Sequence, residues 1–302
     1  AAAVEEVAEE EEEEEEEESS EEEEGEGEGE DGKLIGLDRL LHSLHAELEP
    51  IEAQMQFGSG PASNPPAASA PLLRLDVGSL SRRGMEHSNE DRLQVVEFTE
   101  LLSPASQEAL LAGASSRSIP FFCVLDGHGG AGCAEAASKS LASNIAAALE
   151  ERVSGGGLRG ADACAEIPRA MEQGFAKTEE QAAETWKQQG DKSGACCVCV
   201  IKCEAAGSHV LHVANLGDCR AVVGRRDESR AKLNAVRLTN DHRATVRAER
   251  ERIESVGGSV VEKRALGELI PSRSLGDIKT KLKCPGAIIA IPEISSHTLQ
   301  EG

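Results

Sequence analysis

The sequence contains no tyrosine, one tryptophan and five phenylalanines. That scarcity removes the stacking surfaces on which proteins hold unpaired bases. No stripe of lysine and arginine compensates, so nucleic acid is not an expected partner. No apolar run approaches the roughly 18 residues that span a bilayer, and no membrane contact is expected. No signal peptide is legible, although the first residue is alanine rather than methionine, which leaves targeting open. The GxSxG, HExxH and GxxxxGK[ST] patterns of serine hydrolases, zinc peptidases and P-loop nucleotide-binding proteins are also absent.

What is present divides sharply. Residues 1–31 hold 20 of the 55 acidic residues and no lysine or arginine. The remainder carries 35 acids against 31 bases, so a nearly neutral body bears an acidic tail. Like charges three and four apart repel along a helix, and the interspersed glycines weaken it further. Residues 1–32 are therefore expected to be disordered, with Ser19 and Ser20 as candidate phosphorylation sites. The tail reads first as a solubilising segment, and otherwise as an arm for a basic partner or a cation. Leu34, Leu37, Leu41, Leu44, Leu48, Ile51 and Met55 recur at spacings of three and four, which predicts an amphipathic helix over 33–57. Pro50 interrupts it. With the tail, this helix is a candidate protein-binding segment over residues 1–57. Residues 58–72, rich in Pro, Ala and Ser, read as a linker. Residues 73–302 are enough for one domain with a sizeable core.

Within that domain, strands are expected at LQVVEF, FFCVL, GACCVCVIK, HVLHVANLG and CRAVVGRR. Helices are expected over the alanine-rich stretch after Gly130, over about 163–189, and over ATVRAERERIES before its closing glycines. TELLSPASQEALLAGASSRSIP reads as an insertion or long loop. Strands clustered about a helical pair argue for α+β layering. The nine cysteines, odd in number and set in apolar context, suit free thiols in a cytoplasmic or nuclear setting. Cys196 and Cys199 have a CxxC spacing with Cys203 nearby, but in a strand the first two face opposite ways. Buried strand cysteines are expected there rather than a zinc site.

The chemistry concentrates where apolar strands meet acids. In FFCVLDGHGG, Asp126 follows five apolar residues, Gly127 exposes a carbonyl, and His128 is a proton donor. A carboxylate and a backbone carbonyl suit a hard cation such as Mg²⁺ or Mn²⁺. A polar turn with Asp126 capping the next helix is the alternative. Glu90 and Asp91 precede another strand, and Asp218, Asp241 and Asp277 lie in further loops. Repetition of this pattern favours a metal site.

NEDR, FFCVLDGHGG, SGACCVCVI, ANLGDCRAVV, LTNDHRATVRAERERIESVGGSVV and GELIPSRSLGD occur in this order. Together they resemble the metal-dependent serine/threonine protein phosphatases of type 2C over roughly residues 75–300. The resemblance implies a four-layer α-β-β-α sandwich, two antiparallel sheets flanked by helices, with the metal centre at one end. It implies that Asp126 bridges two metals, Gly127 supplies a carbonyl ligand, Glu90 and Asp91 hold metal-bound water, and Asp218 serves a third, weaker metal. It further implies that His128 protonates the leaving oxygen as water attacks a phosphoserine or phosphothreonine of a phosphoprotein substrate in line.

Two departures qualify the match. Glu86 stands where the family usually carries a phosphate-gripping arginine, so Arg82, Arg83 or Arg273 would have to substitute. The sequence also ends at PEISSHTLQEG, before the two aspartates that the resemblance expects for the second metal. Two divalent ions about 4 Å apart repel by about 4 kcal/mol even at the dielectric of water. The expectation is thus a domain incomplete at its C-terminus, a phosphatase fragment, with a non-catalytic pseudophosphatase acting as a binding module as the alternative.

Overall fold

The computed structural model describes residues 75–83, 88–227 and 232–299. The expected tail, amphipathic helix and linker, and Glu86, lie outside these residues. The first strand, β1 (Arg92–Glu97), leads through a 3-10 turn (Phe98–Leu101) into helix α1 (Pro104–Leu110). Strand β2 (Pro120–His128) and helices α2 (Gly132–Val153), α3 (Ala161–Cys164) and α4 (Ile167–Gln189) follow. Next come β3 (Gly194–Ala205), β4 (Ser208–Leu216), β5 (Val222–Asp227) and β6 (Lys232–Arg237). The chain continues through α5 (Arg247–Ser255), β7 (Val260–Val261), β8 (Arg264–Ala265), β9 (Leu275–Gly276), α6 (Ile278–Lys283) and β10 (Glu293–Thr298).

The main sheet is antiparallel in the order β1-β2-β3-β4-β10, with β9 pairing the start of β3. Strand alternation decides what each face does. Phe121, Cys123 and Leu125 of β2, and Ala195, Cys197, Cys199, Ile201 and Cys203 of β3, point into one core. Helices α2 and α4 complete it with Leu141, Ile145, Leu149, Met171 and Phe175, all fully buried. The opposite parity puts Phe122, Val124 and Asp126 on the other face, level with Val200, Val198 and Cys196 of β3. Val95 and Val124 of that face remain exposed. A second, two-stranded antiparallel sheet is formed by β5 and β6, and a small separate core gathers Ala244, Ile253, Ala265, Ala287 and Ile288 around α5. The α+β layering read from the sequence is therefore present.

Three expectations change. The stretch between β1 and β2 is not a loose insertion: Leu102, Leu110, Leu111 and Ile119 are buried in the main core. Ser103 accepts a hydrogen bond from the Ser106 amide and Pro104 opens the helix, an N-terminal signal already written in the sequence. The helix expected over about 163–189 is divided into α3 and α4. And β2 does not stop at Leu125: Asp126, Gly127 and His128 remain paired to Cys196, Ala195 and Gly194. All nine cysteines are free, seven of them buried, including Cys196, Cys199 and Cys203 of β3.

His212 of β4 is buried between the Cys203 thiol and the Ser296 hydroxyl, 3.5 and 2.8 Å from its two ring nitrogens. Burial pushes its pKa from 6.5 down to about 4. The neutral ring is what the fold accommodates, so the stabilisation is complete above the unfolded pKa and is lost as pH falls from 6.5 toward 4. Urea unfolding at pH 7 and pH 5 is expected to show a loss from this ring of roughly 2 kcal/mol. The His212→Asn variant should lack that component.

Candidate metal and phosphate site

The acids stand level at one end of the open face. Arg92 is the register partner of Leu125, so Asp91 stands level with Asp126. On the other side Asp126 pairs with Cys196, and Cys197 pairs with Leu216, which brings the Gly217–Asp218 turn alongside. The Cys196 thiol donates to Asp218 Oδ1 at 3.4 Å. Asp126 is exposed as a residue, yet its carboxyl loses hydration against the sheet and feels the charges of Asp91 and Asp218. These effects raise its pKa against the opposing pull of His128. Its carboxylate has no hydrogen-bond or ion-pair partner among the described residues.

Glu90 reaches the same end from below, accepting from the Gly130 amide at 3.2 Å. Its carbonyl explains Gly127: a Cβ there would sit 2.4 Å from Glu90 O and 3.1 Å from the Ala134 methyl. The missing side chain thus lets the strand pass the Glu90 backbone and the start of α2. Among the described residues, no three His, Cys, Asp or Glu side chains close on a point tightly enough to hold one ion. The oxygen donors suit a hard divalent cation in kind, and the raised carboxyl of Asp126 is what desolvation, with like charges beside it, produces.

His128 is bound to an acid that the sequence did not pair with it. Its Nε2 lies 2.7 Å from Asp277 Oδ2, an oxygen that also accepts from the Ser274 hydroxyl at 2.6 Å. Burial alone would lower the His128 pKa, but the hydrogen bond and charge of Asp277, with Asp126 and Asp218, raise it. The pairing depends on Gly194. His128 is the register partner of Gly194 in β3, and Gly276 of β9 is its partner on the other side. A Cβ on Gly194 would lie 2.1 Å from Asp277 Oδ2 and 2.5 Å from His128 Nε2.

The remaining candidates separate. Asp241 does not join the acid row: Arg220 grips it through Nη2–Oδ2 at 2.7 Å, and Arg237 binds its other oxygen. Arg273 does not present itself to the open face, because Glu249 holds it from within. Glu249 accepts from Arg273 Nε at 3.0 Å, Ser272 Oγ at 2.6 Å and Arg252 Nη2 at 2.8 Å. Burial would raise the Glu249 carboxyl, but these partners hold it down to about 2. Arg82 is exposed.

Cys219 has an arginine six residues on, Arg225, the spacing of thiol phosphatases. Burial and the charges of Asp126 and Asp218 push its thiol up to about 12, and Arg225 belongs to a paired strand. A thiolate nucleophile needs the opposite environment.

The Protein phosphatase 2C family profile matches residues 82–302; the chain belongs to this family. It is 37% identical over 161 residues to the probable protein phosphatase 2C 30 of Arabidopsis thaliana, covering 52% of this chain and 36% of that protein. It is 31% identical over 206 residues to the integrin-linked kinase-associated serine/threonine phosphatase 2C of Mus musculus, covering 68% and 49%. The chain thus spans half or less of the length of these curated relatives. A crystal structure of serine-threonine phosphatase 2C from Toxoplasma gondii superposes with a TM-score of 0.52 at 18% identity, over 72% of this chain and 71% of that one. A C. elegans sex determining protein gives the same TM-score at 21% identity, over 72% and 47%. At these identities the two structures establish the shared α+β fold.

Gly194→Ala places a methyl group on the His128–Asp277 pair and is expected to destabilise the domain by about 2 kcal/mol or more. Thermal unfolding beside Gly155→Ala, whose added methyl meets nothing within 4 Å, checks this. Equal melting temperatures for the two variants would contradict the close crossing.

Proposed function

We infer that this domain carries part of the active centre of a Mg²⁺- or Mn²⁺-dependent protein serine/threonine phosphatase. The observation that carries the reading is Asp126, held in a paired strand between Asp91 and Asp218, its carboxyl raised by desolvation and by their charge. Membership of the Protein phosphatase 2C family supports it.

In this reading Asp126, the Gly127 carbonyl, Glu90, Asp91 and Asp218 would hold divalent cations. Such ions supply charge neutralisation and an activated water for in-line attack on phosphorus. Asp126 would be the central ligand, because the sheet fixes it and no other side chain among the described residues claims it. Glu90 and Asp91 flank it on adjoining backbone. His128 delivers a proton to the departing seryl or threonyl oxygen, and Asp277 with Ser274 fixes the plane of its ring. Neither buried Asp277 nor salt-bridged Asp241 enters the ligand set.

Titration with Mn²⁺, followed by electron paramagnetic resonance, should register binding to the chain, and Asp126→Asn should weaken it about 10-fold or more. In the longest natural form of the chain, Mn²⁺-dependent hydrolysis of a phosphothreonine peptide should fall by about 100-fold or more in the same variant. Equal turnover in parent and variant would sink the mechanism.

A further inference from the structure

A row of carboxylates attracts cations and repels the phosphoryl dianion that the proposed reaction must bring to it. A cationic side chain at its rim would add to the charge neutralisation that bound ions supply. Among the described residues Arg243 stands there: its Nε lies 3.4 Å from Asp218 Oδ2 and 3.7 Å from Asp241 Oδ2, with the side chain about half exposed.

Its backbone is fixed with respect to the acids. The His242 amide donates to the Gly217 carbonyl at 3.0 Å, and the Gly217 amide donates back to His242 Nδ1 at 3.2 Å. That second bond leaves the ring proton on Nε2, which lies 3.1 Å from Glu293 Oε2. On the far side of Arg243 the Ala244 amide donates to the Ile270 carbonyl at 3.0 Å. Both neighbours of Arg243 are therefore tied down, one of them directly to the turn that carries Asp218.

Its charge is also in surplus. Asp241 is already satisfied by Arg220 and Arg237, and Arg237 is additionally held by the Thr239 carbonyl at 2.8 Å. The shortest approach of Arg243 to both acids is through Nε, at the edge of its guanidinium. Its two terminal nitrogens make no hydrogen bond among the described residues. A planar pair of free N–H groups matches two oxygens of a phosphoryl group.

We propose that Arg243 is an anion-binding residue that receives the phosphoryl group of the substrate at the rim of the acid row. The proposal rests on the phosphatase reading and adds to it the residue that binds substrate phosphate. In this role Arg243 reaches the acids from the 240–244 loop, whereas Arg273 is held by Glu249. It also makes Asp218 a shared partner, neutralised by Arg243 or by a cation.

The test uses the full chain and a fluorescent peptide carrying a non-hydrolysable phosphonate mimic of phosphothreonine, read by anisotropy with and without Mn²⁺. Mn²⁺ affinity is measured separately. Arg243→Ala should weaken peptide binding about 10-fold, and Arg243→Lys should restore part of it. Arg250→Ala, exposed on α5, should bind as the parent does. Mn²⁺ affinity should hold or rise in Arg243→Ala, because a cation beside Asp218 has been removed. Opposite shifts for peptide and metal are the signature, since a loss of structure would lower both.

The proposal is overturned if Arg243→Ala binds the peptide as tightly as the parent, if both affinities fall together, or if the parent captures no peptide. If Mn²⁺ binding is absent while Arg243-dependent peptide capture persists, the phosphatase reading falls and the anion site stands.

Discussion

Mutual repulsion among carboxylates at one end of a sheet is the constraint around which this domain is arranged. Asp126 cannot move away from its neighbours, because its backbone is paired to Cys196 of β3 and follows directly on Leu125, which is paired to β1. Asp91 and Asp218 come level with it through the register of β1 and β4. Desolvation against the sheet raises the Asp126 carboxyl first, and the charges of Asp91 and Asp218 add to it. A protein that only needed a stable sheet end would place a lysine or a neutral residue there. Keeping three acids together costs stability unless a counter-charge arrives, and a divalent cation is the counter-charge such oxygens suit.

The rear of the sheet makes that cost bearable. The same alternation that turns Asp126 outward turns Phe121, Cys123 and Leu125 into the core under α2 and α4. Small side chains let these helices lie close to the strands: Ala134, Ala137, Cys197 and Cys199 all fill the contact layer. The hydrophobic area buried there anchors β2 and β3 as a rigid pair. Electrostatic strain at one end of such a pair cannot relax by bending the strand. The site is therefore held by packing that contains no functional group.

Much of this was legible in the sequence, and the reasons for the rest are specific. Strand periodicity exposed β1 to β5, and the acid at the end of FFCVL drew attention to Asp126 because a charge after five apolar residues is conspicuous. The continuation of β2 through Asp126–Gly127–His128 was hidden, since Gly and Asp are poor strand formers and only pairing with β3 holds them extended. The β9 and β10 pairings were hidden as well, because a two-residue strand carries no period and EISSHT alternates weakly. The link between His128 and Asp277 spans 149 positions and is made possible by Gly194, which reads in the sequence as an ordinary strand glycine. The helical stretch between β1 and β2 was legible in principle through Ser103 and Pro104; its short length and its loop-like SSRS tail outweighed that signal.

The acids at strand ends look alike in the sequence, and the structure sorts them by what has already claimed each. Asp241 is hydrogen-bonded by two arginines, with Arg243 as a third, more distant ion pair, and Asp277 by a histidine and a serine. Glu249, which follows no strand, is buried among two arginines and a serine. Asp218 is only partly engaged, by a thiol and one edge of Arg243. Asp126 is claimed by no side chain among the described residues. A carboxylate fully satisfied within the fold has little to offer a ligand, because binding would first have to break the bonds it has. Capacity for chemistry therefore runs opposite to internal satisfaction. That ordering, from Asp241 through Asp218 to Asp126, is why the proposed site is centred on Asp126.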